Sequence, residues 1–318
     1  MWFVLVTMQQ TRMMLLPFML GMAAACGDND YIVDGPHHQY VVSAIDVPGS
    51  YSDAQNISVD LDGDGRKDNS LGTILVLLNN SGLDVRTALR DGVRSGGILI
   101  GVDLQSVELS NNAELVGIQP YIGTAAVPPP CLSSDPLSCG QHLDGDAVIR
   151  VQAPHPFSYA TGPMNQGVVL AHADEIPIKF ALAEGVVVDL LLHDAAIRMS
   201  QMTTSEARAV FAGVVSKQDL QNVVLPQAVM QLRRVLARDC VAASGPTTCT
   251  CIAASAGATV ATTFDDNKDC QLSDPEFYDD GLTKTLLAPD ILDSSVGEGV
   301  SFAVSTQLVS ATLSPSAP

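Results

Sequence analysis

Two short acidic segments of the chain carry oxygen donors at the spacing of a cation-binding loop. In the first, DDNKDCQLSDPE at 265–276, the donors fall at alternate positions and at the last one: Asp265, Asn267, Asp269, Gln271, Ser273 and Glu276. With Gln271 offering its backbone carbonyl, these groups can surround one ion with oxygen. Calcium prefers a shell of roughly six to eight oxygens, so the segment predicts a calcium site.

This segment resembles the twelve-residue loop of the EF-hand family. Leu272 occupies the eighth position, which is apolar in that family, and EFYDDGLTKTLL continues as a predicted exiting helix. There are two departures. Cys270 stands at the sixth position, where the family has glycine because the backbone turns through positive φ, and GATVATT before Asp265 predicts a strand or loop instead of an entering helix. A metal-free acidic turn is the alternative.

The second segment, DLDGDGRKDNSL at 60–71, matches the same pattern in its first half. Its candidate ligands are Asp60, Asp62, Asp64, the carbonyl of Arg66, and Asp68. Gly65 supplies the bend, but Leu71 cannot donate a carboxylate at the twelfth position. Such D-x-D-x-D-G runs resemble calcium loops of extracellular repeat proteins, in which other residues complete the shell. Four nearby carboxylates repel one another unless a cation joins them. We therefore expect one or two bound calcium ions, with a solvated acidic turn as the alternative.

The common catalytic motifs are absent from the sequence. It contains no G-x-S-x-G, H-E-x-x-H, P-loop or G-x-G-x-x-G. The pair His37 and His38 is interpreted as part of an N-terminal tether, and His193 beside Asp194 as structural. No catalytic or cofactor-binding residue is therefore predicted. The sequence favours a binding or adhesion module, and a secreted, hydrolase-like enzyme without a local motif is the alternative.

The N-terminus has the layout of a secretory signal. TRMMLLPFMLGMAAAC carries one charge at Arg12, an apolar run too short to span a bilayer, and three alanines before Cys26. It resembles a bacterial lipobox, with Ala23 where leucine is usual. The resemblance implies a lipoprotein signal peptide at 1–25, lipidation of Cys26 and a tether at 26–33. Gly27 after the cysteine implies the outer membrane or cell surface. An ordinary signal peptide cut near Ala25 is the alternative.

Lipidation of Cys26 would leave six cysteines, an even number that suits three disulfides in an oxidising compartment. Fifteen pairings are possible in principle. Proximity in the chain favours Cys131 with Cys139, Cys240 with Cys249, and Cys251 with Cys270.

The charge of the chain bears on its partners. A formal net charge of -19 makes nucleic acid an improbable partner, because phosphate would be repelled. The membrane is expected as a partner through the lipid anchor. A protein or polysaccharide ligand stays unidentified.

Composition and periodicity predict a mainly β (α+β) fold. Aromatic residues make up only 5% of the chain, and Val, Thr, Ala and Gly are abundant. We expect an antiparallel β-sandwich or barrel-like sheet with a few short helices and the EF-hand-like loop near the C-terminus. Predicted elements include an amphipathic helix in LDVRTALRDGV, a hairpin that turns at 183–185, and a helix at 226–238. The domain is placed at 34–313, and 314–318 is predicted to be a flexible tail.

Taken together, these motifs resemble a group of uncharacterised bacterial surface lipoproteins with EF-hand-like calcium-binding loops. The resemblance rests on the lipobox, on DLDGDGRKDNSLG, and on the succession of cysteine, acidic loop and LLAPD near the C-terminus. It implies a surface location and no established activity.

Overall fold

The computed structural model describes residues 33–80, 83–132, 135–242 and 249–316. The predicted signal peptide, Cys26 and residues 27–32 of the tether lie outside the described residues. The strands are β1 His37–Asp46, β2 Ile100–Gln105, β3 Ala113–Val127, β4 Cys131–Leu132, β5 Asp135–Cys139, β6 Val148–Val151, β7 Ala160–Asn165, β8 Val168–Ala183, β9 Val186–Ser200, β10 Glu206–Ser216, β11 Cys240–Ala242, β12 Cys249–Cys251, β13 Ile291–Ser294, β14 Gly297–Ser310 and β15 Thr312–Pro315.

Most of the helices are short, and α5 is the longest of those described. They are α1 Tyr51–Asn56, α2 Ser70–Asn80, α3 Val85–Ser95, α4 Lys217–Asp219, α5 Leu225–Asp239, α6 Ala256–Phe264, α7 Asp274–Tyr278 and α8 Gly281–Leu286. A 3₁₀ turn lies at Gln141–Leu143 and a π turn at Leu220–Val224. With 43% strand against 27% helix, the predicted mainly β class is confirmed.

One mixed sheet of eleven strands forms the body of the protein. Eight of them follow one another as β3, β2, β1, β14, β10, β9, β8 and β7, and β7 pairs with β3. The result is a barrel-like ring that is not evenly closed. Strand β15 pairs in parallel with β6, so the sheet is not purely antiparallel. Because Ser314 and Pro315 belong to that strand, the prediction of a flexible tail from 314 is wrong for these two residues.

The longest antiparallel pairing of the ring is the hairpin β8–β9, and its predicted turn is confirmed. Ala183 pairs with Val186 across the turn, and Gly185 has φ of 71°. On the β8 side, the predicted residues Ile178, Phe180 and Leu182 are buried, and the alternation with more exposed neighbours holds as far as Phe180, because Ala181 is buried as well. This period of two places one side of the hairpin in the core. The strands extend well beyond the predicted segment because β7 and β10 continue the pairing on either side.

The main core fills the inner side of the ring and is closed by helices. Helix α3 buries Val85, Ala88, Leu89 and Val93, the face that its sequence predicts. Phe180 of β8 meets Phe302 of β14 edge to face, with 5.3 Å between ring centroids. Burial of one such large apolar side chain contributes about 1.5 to 3 kcal/mol.

The outer side of the ring carries two smaller apolar clusters. In one, β6 and β15 cover β1 and β2, and Leu313 fills the space above Gly101, where a Cβ would lie 2.8 Å from it. In the other, Val59 packs with Ala196, Val210, Ala212 and Ala303, and Leu61 adds to it. Because Val59 and Leu61 flank Asp60, this second cluster attaches the first acidic segment to the sheet.

Two local predictions are wrong in this structure. His37 and His38 are not part of a tether, because they begin β1 and pair with β2. The segment GATVATT is helix α6, not a strand or loop. Ser255 caps this helix by accepting from the Ala258 N–H, and Val260 and Phe264 are buried on one face. These tertiary contacts outweigh the β propensity of valine and threonine.

A buried histidine lies in the 3₁₀ turn. His142 is fully buried, and among the described residues neither ring nitrogen makes a hydrogen bond of ordinary geometry, although the nearby Val93 backbone favours the charged ring. Burial lowers its pKa below the ordinary value, because the charged imidazolium would lose its hydration. Between the lowered pKa and about 6.5, the unfolded chain therefore binds more protons than the folded protein.

We expect His142 to destabilise the protein as the pH falls below about 6.5. One proton of difference lowers the free energy of unfolding by at most about 1.4 kcal/mol per pH unit. The substitution His142→Gln should reduce the decrease in the free energy of unfolding at acid pH. The substitution His172→Gln, at an exposed position of β8, should leave that decrease unchanged. Urea unfolding at pH 5.5 and 7.5 measures the difference. The same pH dependence in wild type and His142→Gln would contradict the assignment.

Candidate metal centre

The first acidic segment, here called loop 1 (60–71), closes on itself before helix α2. The Asp68 N–H donates to the Val59 carbonyl at 2.9 Å, and the Leu61 N–H donates to Oδ2 of Asp68 at 2.7 Å. These bonds bring the two ends of the acidic stretch together. The aspartates therefore lie around one turn.

Within loop 1 the carboxylates of Asp60, Asp62 and Asp64 accept hydrogen bonds from amides further along the chain. Asp60 accepts from the N–H groups of Gly63 at 2.7 Å and Gly65 at 3.0 Å. Asp62 accepts from Asp64 at 3.0 Å, and Asp64 accepts from Arg66 at 2.7 Å. Gly63 and Gly65 have φ of 79° and 87°. No atom outside their chain neighbours lies near either Cβ position, so conformation and not crowding favours glycine there.

Three of the predicted ligands of loop 1 converge. One carboxylate oxygen from each of Asp60, Asp62 and Asp68 lies within 4.8 Å of the other two. Asp62 and Asp68 line an open cleft of about 750 Å³, and Asp64 and Arg66 line it as well. The arrangement offers several oxygens to one position.

The charges of loop 1 influence each other. Burial raises the pKa of the Asp68 carboxyl, the hydrogen bond from Leu61 acts in the opposite direction, and the negative charges of Asp62, Asp290 and Asp60 raise it further. The carboxylates therefore repel one another in the absence of a cation.

Asn69 attaches the end of loop 1 to strand β14. Its side-chain nitrogen lies 3.1 Å from the carbonyl of Ala303, and its side-chain oxygen accepts from the Ala303 N–H at 2.9 Å. The same side chain bonds the carbonyls of Ala54 and Ile57 and caps α2 through the Gly72 N–H. Sequence reasoning missed this role, although asparagine directly before an apolar helical run is a helix-capping signal.

Asp290 also lies beside loop 1, although it is distant from that loop in the chain. It borders the same cleft and accepts from the Ser70 hydroxyl at 2.7 Å and the Ser301 N–H at 2.8 Å. Leu71, at the twelfth position of loop 1, is buried in the core. A carboxylate distant in the chain thus lies near a loop that lacks its last acidic ligand.

The second acidic segment, loop 2 (265–276), has nearly the same hydrogen-bond pattern as loop 1, except that its first residue accepts from the fifth amide instead of the fourth. Asp265 accepts from the N–H groups of Asp269 at 3.1 Å and Cys270 at 3.0 Å. Asn267 accepts from Asp269, and Asp269 accepts from Gln271, each at 2.8 Å. The fourth and sixth positions are again left-handed, with φ of 58° at Lys268 and 62° at Cys270. Two segments at opposite ends of the chain therefore adopt the same turn.

Loop 2 lies between helices, as in an EF-hand. Helix α6 leads into it and α7 leaves it, and the predicted exiting helix is divided into α7 and α8. Leu272 is buried, as its position predicts, and Phe264 contacts Phe277 with ring centroids 5.4 Å apart. The sequence predicts no helix before Asp265, and this prediction is wrong because α6 enters the loop. Cys270 at the sixth position is therefore the departure from the EF-hand pattern that stays.

Glu276, at the last position of loop 2, caps helix α7. It accepts from the Ser273 N–H at 2.9 Å and from the Ser273 hydroxyl at 2.7 Å, and the Asn267 N–H lies 3.4 Å away. Burial raises the pKa of Glu276, but these hydrogen bonds outweigh it and hold the pKa below its ordinary value. The capping box accounts for Glu276 without a metal. Among the described residues, three carboxylates converge in loop 1, and no such group occurs in loop 2.

Three disulfides join the six cysteines, and two of the predicted pairings are wrong. Cys131 pairs with Cys139 as predicted, but Cys240 pairs with Cys251 and Cys249 with Cys270. The register of β11 and β12 places Cys251 directly opposite Cys240. Cys249 is left for Cys270. The cysteine cluster near α5 is therefore oxidised and offers no thiolate to a metal.

The histidines that have ion-pair partners meet carboxylates outside both loops. His193 Nδ1 is 3.3 Å from Glu175, which also lies 3.5 Å from His155. Asp194 belongs to a bulge, has φ of 47°, and accepts from the Ser295 N–H. The two neighbours in sequence thus have different partners.

The fold and site together define a mainly β, disulfide-linked protein with two acidic loops of the same turn geometry. No family model matches the chain, and searches of curated proteins and of solved structures find no match. Across the described residues, no helix has the length and apolar character needed to cross a membrane.

Cys270 affects stability in two ways, through its disulfide to Cys249 and through the conformational cost of its positive φ. Two double variants are compared: both carry Cys249→Ser, and residue 270 is glycine in one (Cys270→Gly) and alanine in the other (Cys270→Ala). Each lacks a disulfide that spans 21 residues, and this loss lowers the free energy of unfolding by about 3 kcal/mol. Alanine also keeps a left-handed penalty of about 1 kcal/mol. We expect the glycine variant to be the more stable of the two by that amount. Urea unfolding without reductant measures both, and equal stabilities would contradict the left-handed assignment.

Proposed function

We propose that the protein is an extracytoplasmic lipoprotein whose two acidic loops bind calcium as a structural ion. The observation that carries this proposal is the shared turn. In both loops the first, third and fifth side chains accept backbone amides, and the fourth and sixth residues are left-handed. In a calcium loop, a sharp turn of this kind gathers oxygen ligands around one ion.

The donor chemistry supports calcium over other cations. The candidate ligands in both loops are oxygen atoms from carboxylate, amide, hydroxyl and backbone carbonyl groups. Hard cations such as calcium prefer oxygen, whereas zinc and copper favour nitrogen and sulfur. The converging carboxylates of Asp60, Asp62 and Asp68 support loop 1 in particular.

The surroundings of the loops support a structural role for the ion. Loop 1 is bonded to strand β14 through Asn69, and loop 2 is linked to β12 through Cys270. An ion in either loop would therefore stabilise a connection between parts of the fold. Extracellular sites of this kind bind calcium at roughly 0.1 to 1 mM.

The disulfides support the location. All six cysteines other than Cys26 are paired, which suits an oxidising compartment. Together with the lipobox-like segment before Cys26, this supports the proposed location at the outer membrane or cell surface. Its β-rich body would act there as a binding or adhesion module.

Calcium titration tests the metal proposal. We expect calorimetry on the unlipidated Cys26→Ser protein to give one or two sites near 0.1 to 1 mM. Millimolar calcium should then stabilise the fold by about 1 kcal/mol relative to chelator. Asp62→Asn should weaken loop 1, and Glu276→Gln should weaken loop 2.

The control for this titration is Asp189→Asn, on the exposed end of an ion pair with Lys179 in the β8–β9 hairpin. It should leave the calcium heat unchanged. If calcium gives no binding heat with the Cys26→Ser parent protein, the proposal is wrong and both loops are metal-free acidic turns. If Glu276→Gln binds calcium with unchanged affinity, the assignment of Glu276 as a ligand in loop 2 is wrong. The assignment of loop 1 is not affected by that result.

The anchor is tested separately. In a bacterial host, Cys26→Ser should abolish incorporation of radiolabelled palmitate and move the protein from the membrane fraction to the soluble fraction. Cys131→Ser with Cys139→Ser, which removes a disulfide instead, should keep the label. Equal labelling of the Cys26→Ser variant would overturn the lipoprotein assignment.

A further inference from the structure

A mixed apolar and cationic cleft lies apart from the acidic cleft of loop 1. It has a volume of about 360 Å³ and lies between the π turn, α8 and the start of β14. Apolar side chains line it, including Leu220, Leu225, Leu287 and Val300. Small-molecule sites are concave, mostly apolar and roughly 300 to 1,000 Å³ in volume. The cleft is within that range.

Two lysines border this cleft. The whole chain has five lysines against a net charge of -19, and Lys217 and Lys284 are both at this one place. Lys217 is exposed and makes no ion pair within the described part of the chain. Lys284 lies 3.0 Å from Asp279, but both side chains are largely exposed, and such pairs contribute little and exchange readily. The cleft thus combines an apolar lining with available positive charge.

The apolar character continues into the protein. A smaller cavity of about 40 Å³ shares Leu225, Thr283 and Leu287 with the cleft. Apart from Thr283, its lining is apolar and comes from α2, α5, Phe264 and Phe277 among others. It has room for the end of a chain and no more. A ligand in the cleft would therefore place its hydrocarbon part against the apolar residues and its polar head at the lysines.

We propose that this cleft binds a single-chain anionic amphiphile, a fatty-acid carboxylate, with its head group at Lys217 and Lys284 and its chain on the apolar lining. The lysines favour a negative head group, and the acidic remainder of the protein disfavours a polyanion. The leucines favour a hydrocarbon chain over a polar metabolite. The inference does not rest on the proposed calcium binding.

Calorimetric titration with decanoate below its micelle concentration tests the proposal. It is done on the unlipidated Cys26→Ser protein in calcium-free buffer, after circular dichroism has confirmed folding. We expect saturable binding to the parent protein and at least about tenfold weaker binding to Lys217→Gln combined with Lys284→Gln. Decyltrimethylammonium, with the same chain and opposite charge, should bind at least about tenfold more weakly than decanoate. Butyrate, with the same head and a short chain, should also bind weakly.

Lys179→Gln is the matched control, because Lys179 pairs with Asp189 in the β8–β9 hairpin and does not line the cleft. It should bind decanoate like the parent protein. The proposal is overturned if decanoate does not bind, if the double variant binds equally well, or if the cationic amphiphile binds as tightly. A lysine variant that binds weakly must melt at the parent temperature to count as support.

Discussion

The uncovered edge of strand β14 is the constraint on which the arrangement of loop 1 depends. Strand β1 covers that edge between Ser305 and Ser310, β13 pairs with it at Gly297 and Gly299, and no strand among the described residues pairs on that side with the stretch in between. Buried N–H and C=O groups in that stretch need partners, because leaving one unpaired costs about 1 to 3 kcal/mol. Asn69 bonds both backbone groups of Ala303, and Asp290 bonds the Ser301 N–H. The side chains that complete the sheet are thus the ones that hold the acidic turn.

Loop 2 meets the same chemical requirement with a different attachment. Its turn repeats the amide pattern of loop 1, yet the left-handed sixth position is Cys270 and not a glycine. A disulfide to Cys249 and the buried Leu272 hold that position against its conformational cost. One turn geometry is therefore supported by a polar network in one place and by a covalent bond and apolar packing in the other.

Local pattern predicted the elements whose contacts are local. The face of α3, the β8–β9 turn and the helix near 226–238 follow from period and turn residues in short windows. Helix α6 and the pairing of Cys249 do not. GATVATT is helical because Gly257 fits against Asp239, where a Cβ would approach to 2.4 Å, and because the Gly257 N–H donates to the Asp239 carboxylate. Such contacts join residues far apart in the chain.

By itself the sequence determined the oxygen donors of both loops, their spacing, the need for a left-handed sixth residue and the mainly β class, because each depends on residue types within a few positions. The tertiary structure decided which cysteines pair, which carboxylates of loop 1 converge, and that Asp290 stands beside them. It also decided that the last strand runs parallel to β6. These features depend on register and chain closure, which bring distant residues together and leave no local pattern.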